Sequence, residues 1–167
     1  MKTQRGGYRP QRSEQMQVLD DPRHDSYKAR GKLADPTRCP DCGAVFRGGR
    51  WTWSAAQGST AHERLCPACQ RIRDGYPGGY VTLGGGYLAA HRDEILHIVR
   101  NCEAIEKAEH PLQRIIAVKS AEGTVVITTT DAHLARRIAE RVHDACKGSL
   151  AVQYNKEENL VRATWSR

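Results

Sequence analysis

Two C-x2-C pairs, Cys39-Pro40-Asp41-Cys42 and Cys66-Pro67-Ala68-Cys69, constrain this chain more than any other feature. A two-residue gap lets both thiolates of a pair curl toward one point. The small or turn-prone residues between them leave backbone N–H groups free to face the sulfurs. Two such knuckles offer four sulfurs as a tetrahedron, the arrangement one divalent zinc takes at a structural site. The 23 residues between the pairs slightly exceed the usual spacing, which a hairpin arm accommodates. With sulfur at every position no place is left for water or substrate, so the expected single Zn²⁺ is a staple and not a Lewis acid. Redox C-x-x-C motifs usually come singly near a βαβ pattern, and iron–sulfur clusters more often use other spacings. His62 is close in sequence to the second pair, and is expected beside the site or toward solvent. Cys102 and Cys146 fall on or beside apolar helix faces and read as small buried hydrophobes.

Charge is the second constraint. The 167 residues carry a formal net charge of +7. Residues 1–38 hold nine lysines and arginines against five carboxylates, and residues 39–76 hold five against three. Residues 77–167 are nearly balanced, with twelve against eleven. The basic excess therefore lies in the first 76 residues, where it attracts polyanions by Coulomb force and counterion release. No apolar run approaches the ~20 residues that cross a bilayer, and the basic N-terminus lacks the apolar stretch of a secretory signal. A reducing, cytoplasmic setting follows, which favours metal ligation over disulfides for these cysteines.

The sequence divides into four parts. Residues 1–37 lack hydrophobic periodicity and are expected to be a flexible basic tail. Residues 38–76 form the four-cysteine zinc module, with short strands at Ala44–Phe46 and Trp51–Trp53 around Arg47-Gly48-Gly49-Arg50. Residues 77–87, rich in glycine and tyrosine, read as a connector that lets the module move. Residues 88–167 read as α-β-β-α-β-β. A helix runs from Leu88 to about Glu109 with Leu88, His91, Ile95, Ile98, Cys102 and Ile105 on one stripe. A hairpin of Ile115–Lys119 and Thr124–Thr129 follows. A second helix is capped by Thr130 or Asp131 and buries Leu134, Ile138, Val142 and Ala145. A last hairpin pairs Leu150–Tyr154 with Val161–Trp165. The expected fold is α+β: a zinc-ribbon-like module plus a four-stranded antiparallel sheet with two helices on one face.

Arg47 and Arg50 at the tip of a stapled hairpin make a compact phosphate-contacting finger, with Arg71 and Arg73 adding to the same patch. Lys2, Arg5, Arg9, Arg12, Lys28, Arg30 and Lys32 supply the tail's positive charge. Phe46, Trp51 and Trp53 could stack bases, although Trp51 and Trp53 are better placed to cover the knuckles, because a small zinc module has little else to bury. The glycine clusters lack the Gly-Lys-Ser/Thr of a phosphate loop, His-Glu-x-x-His and Gly-x-Ser-x-Gly are absent, and nothing calls for an enzyme or a small-molecule substrate.

Arg38-Cys39-Pro40-Asp41-Cys42-Gly43, then Cys66-Pro67-Ala68-Cys69 with Arg71-Ile72-Arg73, resemble the zinc-binding N-terminal region of the nonsense-mediated-decay protein 3 family. So does Thr128-Thr129-Thr130-Asp131 followed by Ala135-Arg136-Arg137-Ile138. The chain also resembles short bacterial proteins related to that family. The likeness spans roughly residues 38–166 and rests on few motifs. Longer members carry additional C-x2-C pairs and later domains that this chain lacks. Family members bind the large ribosomal subunit, so the resemblance implies a ribosome-facing zinc module with Arg47, Arg50, Arg71 and Arg73 at matching basic positions.

The combined expectation is an RNA-binding, ribosome-associated protein acting in ribosome maturation or in silencing idle ribosomes under stress. Its partners would be rRNA and the large subunit, with a ribosomal protein against the C-terminal sheet and no membrane. The rival readings are a zinc-ribbon DNA-binding regulator and a protein–protein adaptor. Against the first, neither C-terminal helix carries the basic and amide cluster of a major-groove reader.

Overall fold

The computed structural model describes Tyr27, residues 31–54 and residues 62–167. Within them the chain is α+β, with two mixed sheets of four and five strands. The larger sheet is built from β5 (Gly79–Gly84), β6 (Ile115–Ala121), β7 (Thr124–Thr129), β8 (Ser149–Asn155) and β9 (Leu160–Ser166). Helices α2 (Gly86–Ala90) and α3 (Arg92–Glu109) follow β5, and α4 (Ala132–Cys146) joins the two hairpins. The strand order is β6-β7-β5-β9-β8.

Both expected hairpins are present, but they do not meet. β5 lies between them, antiparallel to β7 and parallel to β9. The sheet is therefore five-stranded and mixed, not four-stranded and antiparallel. Its central strand comes from the stretch read as a flexible connector. Val81 and Leu83 are fully buried while Tyr80 and Thr82 are half-exposed, the two-residue period of a strand covered on one face. The glycines hid that period. Gly79 is needed for close approach: a Cβ there would collide with the Ala135 Cβ of α4 and lie 2.8 Å from Thr129 Oγ1. Gly78 is equally confined, with Thr130 O 2.8 Å from the same position. The backbone gains proximity here, not looseness.

The single helix expected from Leu88 is broken at His91, which ends α2 and precedes α3. The buried face of α3 is Ile95, Leu96, Val99 and Cys102, while Ile105 is 60% exposed. Asp131 caps α4, its carboxylate accepting from the Leu134 N–H at 3.1 Å. Leu134, Ile138 and Val142 are buried as expected, whereas Ala145 is exposed and Ala135, Ala139 and Cys146 take the rest of the face. These side chains pack with Val125, Ile127, Val161 and Trp165 from one face of the sheet. Trp165 is fully buried and donates from Nε1 to Lys147 O at 2.6 Å. No helix among the described residues is long and apolar enough to cross a membrane.

The smaller sheet has the order β3-β2-β1-β4, from β1 (Thr37–Arg38), β2 (Val45–Arg47), β3 (Arg50–Thr52) and β4 (His62–Glu63). β1–β2 and β2–β3 are antiparallel and β1–β4 is parallel. Ordered structure thus begins before residue 38: Thr37, assigned to the tail by its composition, is a buried strand residue. Helix α1 (Pro67–Asp74) completes the region and ends at Gly75 in the left-handed conformation (φ 59°).

Candidate metal centre

Each knuckle has its own local reason to form. At the first, Cys39 N–H donates to Ala44 O at 2.8 Å and Gly43 N–H donates back to Cys39 O at 2.9 Å. The reversal is completed by Gly43 at φ 78°, which glycine adopts without strain. At the second, Cys66 is the N-cap of α1 and Pro67 opens the helix, where its missing N–H costs nothing. The Cys66 sulfur plays the part a serine oxygen usually plays, accepting from Cys69 N–H at 3.4 Å. Cys66 N–H in turn donates to Cys39 Sγ at 3.3 Å, tying one knuckle to the other.

The four Sγ atoms lie within 4.8 Å of one another, and Cys42 and Cys66 are 3.7 Å apart. A tetrahedron with metal–sulfur bonds of ~2.3 Å has edges of about 3.8 Å. The donor set and its size therefore fit one metal ion. Burial pushes the Cys66 thiol far above its ordinary range, and the neighbouring sulfurs add to the rise. Burial also raises Cys69, to about 11, against the opposing pull of Arg114. At Cys39 burial acts in the same direction but is outweighed by backbone N–H groups of Cys66, Cys42 and Asp41, leaving it at about 7. Four thiolates this close need a cation before they can coexist.

Part of that positive charge comes from the larger sheet's side of the molecule. Arg114, only 8% exposed, points Nη2 at Cys66 Sγ (3.3 Å) and Cys69 Sγ (3.2 Å). Burial alone would depress its pKa, but the neighbouring sulfurs of Cys69, Cys66 and Cys42 raise it instead. Its backbone is fixed by Thr130, whose Oγ1 accepts from Arg114 N–H at 2.9 Å. Leu112 packs on the cysteine cluster beside Trp51 and Leu65. Trp53 reaches across to α3, donating from Nε1 to Lys107 O at 2.6 Å. The module is thus seated against the larger sheet unit, where a mobile connector was expected. Arg114 had no signal in the sequence: it is 45 residues from Cys69 and follows an ordinary Pro-Leu-Gln turn.

Of the expected RNA contacts, Arg47 and Arg50 lie where the spacing put them. They face each other across the β2–β3 turn, both exposed, and neither meets a carboxylate among the described residues. Asp35, which is nearby, accepts from Gly48 N–H at 2.7 Å. Arg71 is a correction. It is 6% exposed, donates to Tyr76 O at 3.2 Å and stacks its guanidinium 4.4 Å from the Tyr27 ring centroid. Its place on the inner side of α1 makes it a structural residue. Arg73 is exposed but forms a two-pronged pair with Asp41, at 2.9 and 2.6 Å. Lys32 is exposed; Lys2, Arg5, Arg9, Arg12, Lys28 and Arg30 lie outside the described residues. Trp51 covers the knuckles as expected, and Trp53 does not. His62 faces solvent on β4. Burial raises the Cys102 thiol to about 11 and also raises Cys146, which suits inert core residues.

Comparisons of this chain with family models, with curated proteins and with solved structures find no match.

Proposed function

We propose that this is an RNA-binding, ribosome-associated protein whose cysteines hold one structural Zn²⁺ in a zinc-ribbon-like module. One observation carries the reading. Arg47 and Arg50 are directly opposite each other across two strands, exposed and without a carboxylate partner among the described residues. Like charges in that position repel and destabilise a hairpin. The repulsion turns to advantage when a phosphate sits between the two guanidinium groups, each of which presents a planar fork of donors. Anchoring by Asp35 at Gly48 and by the cysteine cluster holds the tip in place before any partner arrives. An adaptor without a nucleic-acid partner would be favoured by internal salt bridges at these two arginines. The resemblance of the knuckles to a ribosome-binding family directs the proposal to rRNA of the large subunit, in maturation or in silencing of idle ribosomes.

Sucrose-gradient sedimentation of tagged protein, before and after stress, tests this. The wild type is expected to travel with large subunits and to dissociate as salt is raised, since log affinity falls linearly with log salt for phosphate contacts. R47A/R50A is expected to remain at the top of the gradient. Wild-type protein that never enters the ribosomal fractions ends the proposal.

A further inference from the structure

Among the described residues the larger sheet has helices on one face only. Its other face can be read from the strand register, because residues paired across neighbouring strands point the same way. One row across all five strands is Gln153, Arg162, Tyr80, Thr128 and Ala117. The next is Ala151, Thr164, Thr82, Val126 and Lys119. All ten are half-buried or exposed, whereas Val81, Val125, Ile127 and Ala163, which point the other way, are buried. Seven of the ten residues, with Tyr80 and Arg162 at the centre, line a concavity of about 320 Å³.

The chemistry of this face is selective. Its only charges in these rows are the cations Arg162 and Lys119, and neither meets a carboxylate among the described residues. The acidic residues of the two hairpins, Glu122, Glu157 and Glu158, are in the turns and outside the rows. Between the cations lie threonine hydroxyls and a glutamine amide, which can donate to and accept from base edges. The Arg162 guanidinium lies 4.5 Å from the Tyr80 ring centroid. That pair is already stacked, with Arg162 exposed and Tyr80 half-buried among the described residues, so an incoming base would meet a flat, pre-ordered platform. Both charges in these rows are positive and no carboxylate occurs in either, which favours a polyanion as the occupant. The geometry points to this face as a platform for single-stranded RNA, with one base stacked on Arg162–Tyr80 and backbone phosphates drawn by Arg162 and Lys119. At strand spacings of ~4.8 Å the row spans roughly 19 Å, room for the two or three nucleotides that an open sheet of this kind accommodates.

The inference rests on the RNA-binding reading but uses different residues, so the two can fail separately. Fluorescence anisotropy with full-length protein would compare a labelled ten-nucleotide oligouridylate with a blunt RNA duplex. Y80L and R162A are each expected to weaken the single strand at least about fivefold, leaving the duplex affinity unchanged. K119A would weaken it less. R47A/R50A is expected to weaken both probes. Ultraviolet crosslinking of the oligouridylate should yield a modified peptide containing Tyr80. If the wild type binds neither probe, the RNA-binding reading falls and takes this inference with it. If it binds and the sheet variants bind equally well, the platform is overturned while the arginine hairpin stands. Sheet variants that leave RNA affinity intact yet change the oligomeric state, or lose a ribosomal protein, assign the face to a protein and overturn the inference as well.

Discussion

The two sheets of this molecule are held by different forces. The five-stranded unit buries Trp165, Leu83, Ile95, Ile127, Leu134 and Ile138 almost completely. At ~25 cal/mol per Å² of apolar surface, such side chains are enough to organise a sheet. The four-stranded unit has strands of two or three residues, and its buried cluster is Ala44, Ala68, Cys39, Cys66 and Cys69. Alanine offers little surface, and cysteines packed sulfur to sulfur are poorly placed to stay together without a cation. A region this small and this polar needs a staple. One unit is therefore a hydrophobic fold, and the other is organised around four sulfurs whose spacing fits one metal ion.

The largest expected effect separates the two. Stripping metal with a strong chelator removes binding energy that reaches ~10–16 kcal/mol in small zinc modules. By hydrogen exchange, β1–β4 and α1 should lose protection while β5–β9 and α4 keep theirs. Simultaneous loss in both units would show that the comparison is drawn too sharply. Next, Trp165→Ala should cost the larger unit about 3–5 kcal/mol in denaturant unfolding, with the metal still bound by the cysteines. Arg114→Leu probes the junction: competition with a chromophoric chelator should reveal metal affinity weakened about 10- to 100-fold. An unchanged affinity would mean that Arg114 only fills space. The smallest effect is Asp131→Ala, which removes the α4 cap and should cost ~1 kcal/mol without touching metal affinity.

Legibility in the sequence follows the same division. The cysteine site was readable because ligand spacing is local: each knuckle is made of adjacent residues, and only their approach is long-range. The two C-terminal hairpins and α4 were readable from period and cap. β5 was not, because Gly78, Gly79 and Gly84 resemble a linker until the helix that presses against the strand is known. The burial pattern of α3 was half-readable. Ile105 continues the stripe in spacing, yet the inward contacts of this turn are made by Glu103, which accepts from Ile115 N–H, and Glu106, which pairs with Arg137, leaving Ile105 60% exposed. Among the arginines, composition could not separate Arg71, turned inward onto Tyr27 and Tyr76, from Arg47 and Arg50, turned outward. That separation depends on which side of α1 faces the module. Arg114 lay beyond sequence reasoning altogether, since its partners are sulfurs supplied by a distant segment.

The position of β5 has a further consequence for how the protein is made. Its neighbour on one side, β9, is the last strand of the sheet, so residues 79–84 must wait for residues 161–166 before both of their edges are satisfied. Contacts that distant along the chain slow folding. During synthesis one edge of the strand that carries Val81 and Leu83 would stay open until residues 161–166 are made, while the cysteine knuckles upstream would already have emerged. The cysteine half can therefore begin to assemble first, and Leu112 and Arg114 close over its sulfurs only when the later segment arrives.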